Sequence, residues 1–295
     1  MAVDPKKVME LREKTGLPMM ECKKALEKTG GEVEKAFEEL RKAGLKAQEK
    51  LAGRAANEGR IGSYVSPDGS VGVLVSLRCE TESVAKNEHF QKFLQELIEV
   101  VARETPKNPN QLNELKLTSG PTVASGLTEL VNKIRENISI GRFARFQSDA
   151  IGQYVHFDQK KAAMLAFKGG STSNPKVVTV GKEVGMHLVF ANLPNSSRPV
   201  SVSRATLDPV VIQKEVEKER EIYLAAIRND PKNAKKPEEI LKKIVEGQVE
   251  QFIASKCLLE QPFSRDPKQS VGSYLKNSGA LVTIEDFVYV ATDQN

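Results

Sequence analysis

The sequence has no tryptophan, only three cysteines, and aromatic residues amount to 5% of its 295 residues. Cys22, Cys79 and Cys257 lie far apart, which excludes the CxxC spacing of metal and redox sites. An odd number of scattered cysteines is typical of a reducing compartment, and we expect three buried, inert thiols. The shortage of aromatic side chains leaves few platforms on which single-stranded nucleic acid could stack.

Long apolar runs are also missing. No stretch approaches the ~20 apolar residues that a membrane-spanning helix needs. The opening MAVDPKKVMELREKTG has no apolar core of signal-peptide length and contains acidic residues that a transit peptide avoids. We therefore expect a cytoplasmic protein without membrane contact, unless an organelle leader has been removed. The net charge of +5 is compatible with an acidic protein partner and is weak evidence for direct nucleic-acid binding.

Motifs for catalysis and metal binding are absent too. His89, His156 and His187 form no HExxH pattern, and no cysteine lies at metal-ligand spacing from a histidine. There is no Walker loop, no GxGxxG that opens a helix and no GxSxG elbow. A carboxylate pair such as Glu38-Glu39 is best explained as a solvated helix face. The sequence predicts a protein-binding role, no cofactor, no metal site and no enzyme activity.

Residues 1–45 show the pattern of a small docking module. Apolar residues at helical spacing predict three short helices, with glycines such as Gly16 and Gly44 at their ends, where positive φ is often needed. A module of this size is marginally stable alone. Residues 46–60 are rich in charge and alanine and predict a linker, partly helical, about which the module can move.

Residues 61–208 predict a duplicated core. A strand hairpin is followed by an amphipathic helix, and the opening motif IGSYV at 61–65 is echoed by IGQYV at 151–155, ninety residues later. We predict an α+β fold with two subdomains, 61–146 and 147–208, each an antiparallel sheet with helices on one face. The C-terminal segment, 261–295, is expected to add a helix and a strand that complete the second subdomain.

Residues 209–260 predict an antiparallel coiled-coil hairpin. Two amphipathic helical segments flank a loop at 231–237 that contains proline and lysine. Each segment has a narrow apolar stripe, which favours a projecting arm, and close packing on the core is the alternative.

Six segments resemble the bacterial elongation factor Ts family in order and spacing. They are LREKTGLPMMECKKAL, CETESVAKNEHF, KIRENISIGR, IGQYVH, KIVEGQVEQF and QPFSRDPKQSVGSYL, and together they extend over about 260 residues. The resemblance implies the organisation above and an exchange activity on the GTPase elongation factor Tu, bound in its GDP and nucleotide-free states. It leaves a 2:2 assembly with that partner open.

The resemblance also implies where the partner binds. In the family, a tip that normally reads Thr-Asp-Phe-Val-Ala enters the nucleotide-binding domain beside the Mg²⁺ and phosphate site, with the phenylalanine acting as a wedge. The matching residues here are Thr81, Glu82, Ser83, Val84 and Ala85.

Two further contacts are implied by the same resemblance. The N-terminal contact of the family corresponds to Arg12, Met19 and Met20, and the contact of the second subdomain corresponds to His156. The alternatives are that both methionines belong to the core of the helical module and that His156 is an ordinary surface residue.

The sequence departs from the family pattern at two of these positions. Ser83 stands where the family has phenylalanine, while Glu82 keeps the negative charge one methylene further out. After His156 the chain reads FDQKKA where the family tends to place glycines. Two hypotheses follow: an exchange factor that relies on distributed contacts more than on its tip, or a non-exchanging scaffold that has lost its wedge.

Overall fold

The computed structural model describes residues 3–190, 198–229 and 236–293. These residues form an α+β fold, as predicted. The helices are α1 (Pro5–Thr15), α2 (Met19–Lys28), α3 (Val33–Leu51), α4 (Glu82–Ala85), α5 (Glu88–Glu104), α6 (Pro109–Glu114), α7 (Val123–Ile134), α8 (Pro175–Phe190), α9 (Pro209–Asn229), α10 (Glu238–Lys256) and α11 (Val271–Asn277). The strands are β1 (Glu58–Val65), β2 (Val71–Cys79), β3 (Ser139–Gln147), β4 (Ala150–Val155), β5 (Lys161–Lys168), β6 (Pro262–Phe263), β7 (Asp266–Ser270) and β8 (Thr283–Ala291).

The first three helices enclose a small core of their own, which includes Leu11, Cys22 and Leu26. The third helix does not end at Gly44, as the glycine pattern predicted, but continues to Leu51. Gly44 is buried against α7, where a Cβ atom would lie 3.2 Å from the side-chain nitrogen of Asn132. Gly44 therefore allows close packing of α3 on α7 and does not end the helix. Residues 46–51, predicted as the first part of the linker, belong to α3.

Two three-stranded antiparallel sheets form the centre of the molecule. The first has the strand order β1-β2-β3 and the second the order β4-β5-β8, so the predicted C-terminal strand does complete the second sheet. The two sheets share one apolar cluster, formed by residues such as Ile61, Leu74, Ile151, Met164 and Val288. The opposite face of the first sheet packs on α5 and α7, and that of the second on α8 and α11. The core is thus layered as helices, sheet, sheet and helices.

The repeated IGxYV motif has a packing explanation. Ile61 and Ile151 point into the cluster between the sheets. The glycines that follow them face the helices: a Cβ at Gly62 would lie 2.4 Å from Cδ1 of Ile98, and a Cβ at Gly152 would lie 2.6 Å from Cα of Gly181. Alternate residues of a strand lie on opposite faces of the sheet. The motif therefore gives each sheet one apolar face and one point of close helix approach.

The α9–α10 hairpin has its own small hydrophobic cluster around Ile227, Val245 and Val249. Its base is joined to the core segment by backbone bonds, with Leu258 N–H donating to Ser201 O over 2.9 Å. Most of the predicted loop, 231–235, lies outside the described residues. In the ranges that the structure covers, no helix is both long and apolar enough to cross a bilayer.

All three cysteines are buried, as predicted. Burial raises the pKa of Cys79 to about 12 and that of Cys257 to about 11. Because the thiolate is the reactive form, both thiols are unreactive near neutral pH.

Candidate partner-binding site

The tip predicted from the family pattern is a single turn of helix between two capped ends. Thr81 caps α4 by accepting a hydrogen bond from Val84 N–H at 3.4 Å, and Asn87 caps α5 by accepting one from His89 N–H at 2.9 Å. Ala85 is completely buried, whereas Ser83 is exposed. Capping satisfies backbone donors that a helix end otherwise leaves unpaired. The backbone of the tip is therefore anchored from below and held at both ends.

The turn that follows α7 supports the tip from the first subdomain. The hydroxyl of Thr81 donates to Glu136 at 2.7 Å, and its backbone N–H donates to the other oxygen of the same carboxylate at 3.1 Å. Next to it, Glu80 accepts the backbone N–H of Asn137 at 2.6 Å. These contacts join segments more than fifty residues apart, so the sequence alone gave no sign of them.

Ser83 carries almost no apolar area at the apex of the tip. Its hydroxyl lies 3.3 Å from that of Thr81, which is compatible with a local hydrogen bond. The tip is present as an element, but the apolar wedge expected in the family is absent at this position.

Glu82 does not present a free charge. Its carboxylate is bound by two nitrogens of Arg60, at 2.5 and 3.2 Å, and by Lys160 at 3.2 Å. The Arg60 side chain is 8% exposed and also donates to the carbonyl of Gly59. Hydrogen bonds from Arg60, with a further contribution from Lys160, hold the pKa of Glu82 well below its usual range. The carboxylate fixes the tip from within the molecule, a role that sequence reasoning missed.

His156 lies at the start of the turn between β4 and β5. Its Nδ1 is 3.1 Å from the hydroxyl of Tyr154, and its ring stands edge-on to Phe190 with centroids 4.9 Å apart. The same turn is joined to the first sheet by Ile61 N–H, which donates to Gln159 O at 2.7 Å.

Lys160 of this turn binds Glu58 at 2.6 Å, in addition to Glu82. The turn that begins at His156 is thus joined to the tip through the side chain of Lys160.

The methionines of the N-terminal module are exposed, Met19 by 46% and Met20 by 60%, so the alternative that they form its core is wrong. Glu21, the next residue, binds Arg135 at 2.6 Å, and Arg135 precedes the Glu136 that holds the tip. The start of α2 therefore lies close to the tip.

Arg12 is exposed on α1. Within the described part of the chain, no hydrogen bond or ion pair of its side chain joins it to the tip.

No group of three or more His, Cys, Asp or Glu residues that could hold a metal ion exists among the residues the structure describes. His187 is fully buried: Ser264 N–H donates to its Nδ1 at 3.2 Å, and its Nε2 lies 2.9 Å from Gln261 Oε1. Burial lowers the pKa of His187. Because Nδ1 accepts a hydrogen bond, the proton of the neutral imidazole is on Nε2, which donates it to Gln261. His187 is therefore a neutral residue that joins α8 to the segment 261–264.

Comparison with known proteins identifies the family of this chain. The family model described as Elongation factor TS matches residues 80–294. Elongation factor Ts of Clostridium perfringens strain 13 is 39% identical over 292 residues, covering 97% of this chain and 91% of its own length. Elongation factor Ts of Azoarcus sp. strain BH72 is 40% identical over 277 residues, with 93% and 86% covered, and that of Trichlorobacter lovleyi is 36% identical over 298 residues, with 97% and 91% covered. The chain belongs to the elongation factor Ts family.

Proposed function

We propose that this protein is a guanine-nucleotide exchange factor of translation elongation that binds elongation factor Tu·GDP and promotes the release of GDP. The observation that carries the proposal is the braced tip at 81–85 with Ser83 exposed on it, present in a chain that matches its family over nearly its whole length. In this proposal the partner contacts are the tip residues named above together with Arg12, Met19, Met20 and His156, and the protein works in the cytoplasm without a metal or cofactor.

Exchange of this kind needs no catalytic residue. A protein that binds the nucleotide-free state of a GTPase more tightly than the GDP-bound state must weaken GDP binding by the same factor, because the two equilibria are linked. Mg²⁺ on the partner requires near-ideal octahedral geometry, so a small displacement of its ligands removes much of its contribution to nucleotide binding. A firmly held tip can impose such a displacement, because Thr81 caps it and Glu136 binds it from the turn after α7.

The replacement of the wedge decides how the binding energy is distributed. Complete burial of a phenylalanine side chain in the partner contributes about 1.5–3 kcal/mol to the free energy of binding, and a serine offers no such contribution. Glu82 is already bound by Arg60 and Lys160 and supplies no free charge in compensation. Exchange by this protein should therefore rely on contacts spread over the surface around the tip.

Stopped-flow release of labelled GDP from the cognate elongation factor Tu tests the proposal. Catalytic amounts of the protein should accelerate release, and Ser83→Ala should change the acceleration by less than about threefold, because little area is lost. Ser83→Phe, which installs the wedge, should increase it. A hundredfold loss in Ser83→Ala with binding intact would contradict the distributed-contact model.

The second candidate is a scaffold that binds the same partner without releasing its nucleotide. The exposed serine at the apex favours it, since the tip then has nothing to insert. Binding measured by calorimetry together with unchanged GDP release would establish the scaffold and reject the exchange factor.

A further inference from the structure

Phe157 is the feature of the surface that the family pattern does not explain. Its side chain is 88% exposed, although a phenylalanine in water forgoes the burial that usually stabilises it. The ring is not isolated, because its centroid lies 4.4 Å from that of His156, which in turn packs edge-on against Phe190. Tyr154 lies behind this group, with its ring 6.2 Å from that of Phe190. An exposed ring therefore projects from a braced aromatic group.

The turn that carries Phe157 is fixed to the tip. Its Lys160 binds Glu82 of the tip at 3.2 Å and Glu58 of β1 at 2.6 Å, and its Gln159 carbonyl accepts the N–H of Ile61 at 2.7 Å. One contact thus joins the turn directly to the tip, and the other two join it to β1, to which Arg60 also holds the tip. A protein partner bound at the tip can therefore also contact this turn.

We propose, on the basis of the function proposed above, that Phe157 is an aromatic anchor that binds elongation factor Tu beside the tip and supplies the apolar area that Ser83 lacks. In this proposal the Phe157 ring enters an apolar hollow of elongation factor Tu, on the same face of the partner that receives the tip. The surface of the tip continues onto this turn, because Phe157 and its neighbour His156 share the turn with Lys160, whose ammonium group binds Glu82 of the tip at 3.2 Å. A ring braced in advance loses little conformational entropy on binding, which is the property of effective anchors.

Another exposed apolar side chain provides a matched control. Leu281 is 91% exposed and precedes β8 near the end of β5 that pairs Lys168 with Thr283. The turn of Phe157 lies at the other end of β5, and a strand of eight residues is more than ~20 Å long. Leu281 therefore has the same exposure as Phe157 but lies away from the tip.

The test is the affinity of nucleotide-free elongation factor Tu for the full-length protein and its variants, measured by calorimetry. Phe157→Ala should raise Kd about tenfold or more, because a buried ring is worth at least that factor. Phe157→Leu, which keeps most of the apolar area, should change Kd by less than about threefold, and Leu281→Ala should leave it unchanged. Circular dichroism and melting curves should match those of the wild type in all three variants, since both side chains are exposed.

The outcomes separate this inference from the proposed function. Equal Kd values for the wild type and Phe157→Ala would overturn the anchor while leaving the exchange activity untouched. Equal losses in Phe157→Ala and Leu281→Ala would overturn it as well, because the effect would then not depend on position. GDP release that the wild-type protein does not accelerate would reject the proposed function, whatever the behaviour of Phe157.

Discussion

At the scale of single residues, Glu82 has a different role from the one its position in the family pattern suggested. The side chain is one methylene longer than the aspartate expected there, and its carboxylate lies against Arg60 and Lys160. Arg60 is nearly buried, and water can solvate its charge only poorly. Without the Glu82 carboxylate, that charge would be left without its main ionic partner, which destabilises a folded protein. Through Glu82, Arg60 fixes the tip to β1 and Lys160 joins it to the turn of the second subdomain.

Glu82→Gln should lower the melting temperature and make the tip more mobile, because Arg60 loses its bidentate partner. The pKa of Glu82 is lower in the folded protein than the ~4.3 of an unfolded glutamate, so its contribution is complete above that value and is lost as pH falls further. The difference in melting temperature between wild type and variant should therefore be constant from pH 7 to about 5 and shrink on acidification.

Glu49 is an exposed glutamate of α3, and Glu49→Gln is the control for Glu82→Gln. Its difference in melting temperature from the wild type should not change with pH. Thermal melts at a series of pH values give both curves. A difference that grew on acidification would contradict the assignment.

At the scale of elements, glycines decide how closely helices approach the sheets. Gly181 of α8 crosses Gly152 of β4 so closely that a Cβ at Gly181 would lie 2.5 Å from Cα of Gly152. Gly247 of α10 is exposed, and a Cβ there would meet nothing within 4 Å. The same residue type therefore has opposite consequences in the two helices, although both were predicted as helical segments.

Gly181→Ala should lower the free energy of unfolding by about 1–3 kcal/mol, because the backbone of α8 must move away from the sheet. Gly247→Ala should instead stabilise the hairpin by about 0.5–1 kcal/mol, since alanine favours the helix and limits the unfolded chain. Urea denaturation of the two variants provides the comparison. Stabilisation of both variants would show that helix propensity, not close packing, dominates at Gly181.

At the scale of the whole molecule, the N-terminal module is docked on the first subdomain rather than tethered to it. Gly44 of α3 lies against Thr128 and Asn132 of α7, and the hydroxyl of Thr128 donates to Gln48 at 2.8 Å. The ion pair between Arg135 and Glu21 is about half exposed, and such pairs contribute at most ~1 kcal/mol. The close helix contact should therefore hold the module in place.

Gly44→Leu should weaken docking by about 1–3 kcal/mol, because the larger side chain cannot fit against α7. Arg135→Ala should cost less than ~1 kcal/mol. Hydrogen exchange followed by mass spectrometry should show faster exchange in α3 and α7 for Gly44→Leu only, and Ala43→Leu, an exposed neighbour on α3, is its control. Faster exchange in Arg135→Ala than in Gly44→Leu would contradict this ranking.

The sequence by itself determined the types of the elements and the family. Alternating and helical periodicities and the IGxYV motif carry that information locally, because each depends on residues that are near one another in the chain. The length of α3 was missed, since a glycine that ends a helix and one that admits another helix look alike in sequence.

Only the tertiary structure decided what the candidate site is. It brought Thr81 to Glu136, Glu82 to Arg60 and Lys160, and the turn of Phe157 to the tip, through contacts between residues distant in the chain. It also placed Met19 and Met20 on the surface. Exposure and charge pairing depend on which segments pack together, and local residue patterns do not encode that choice.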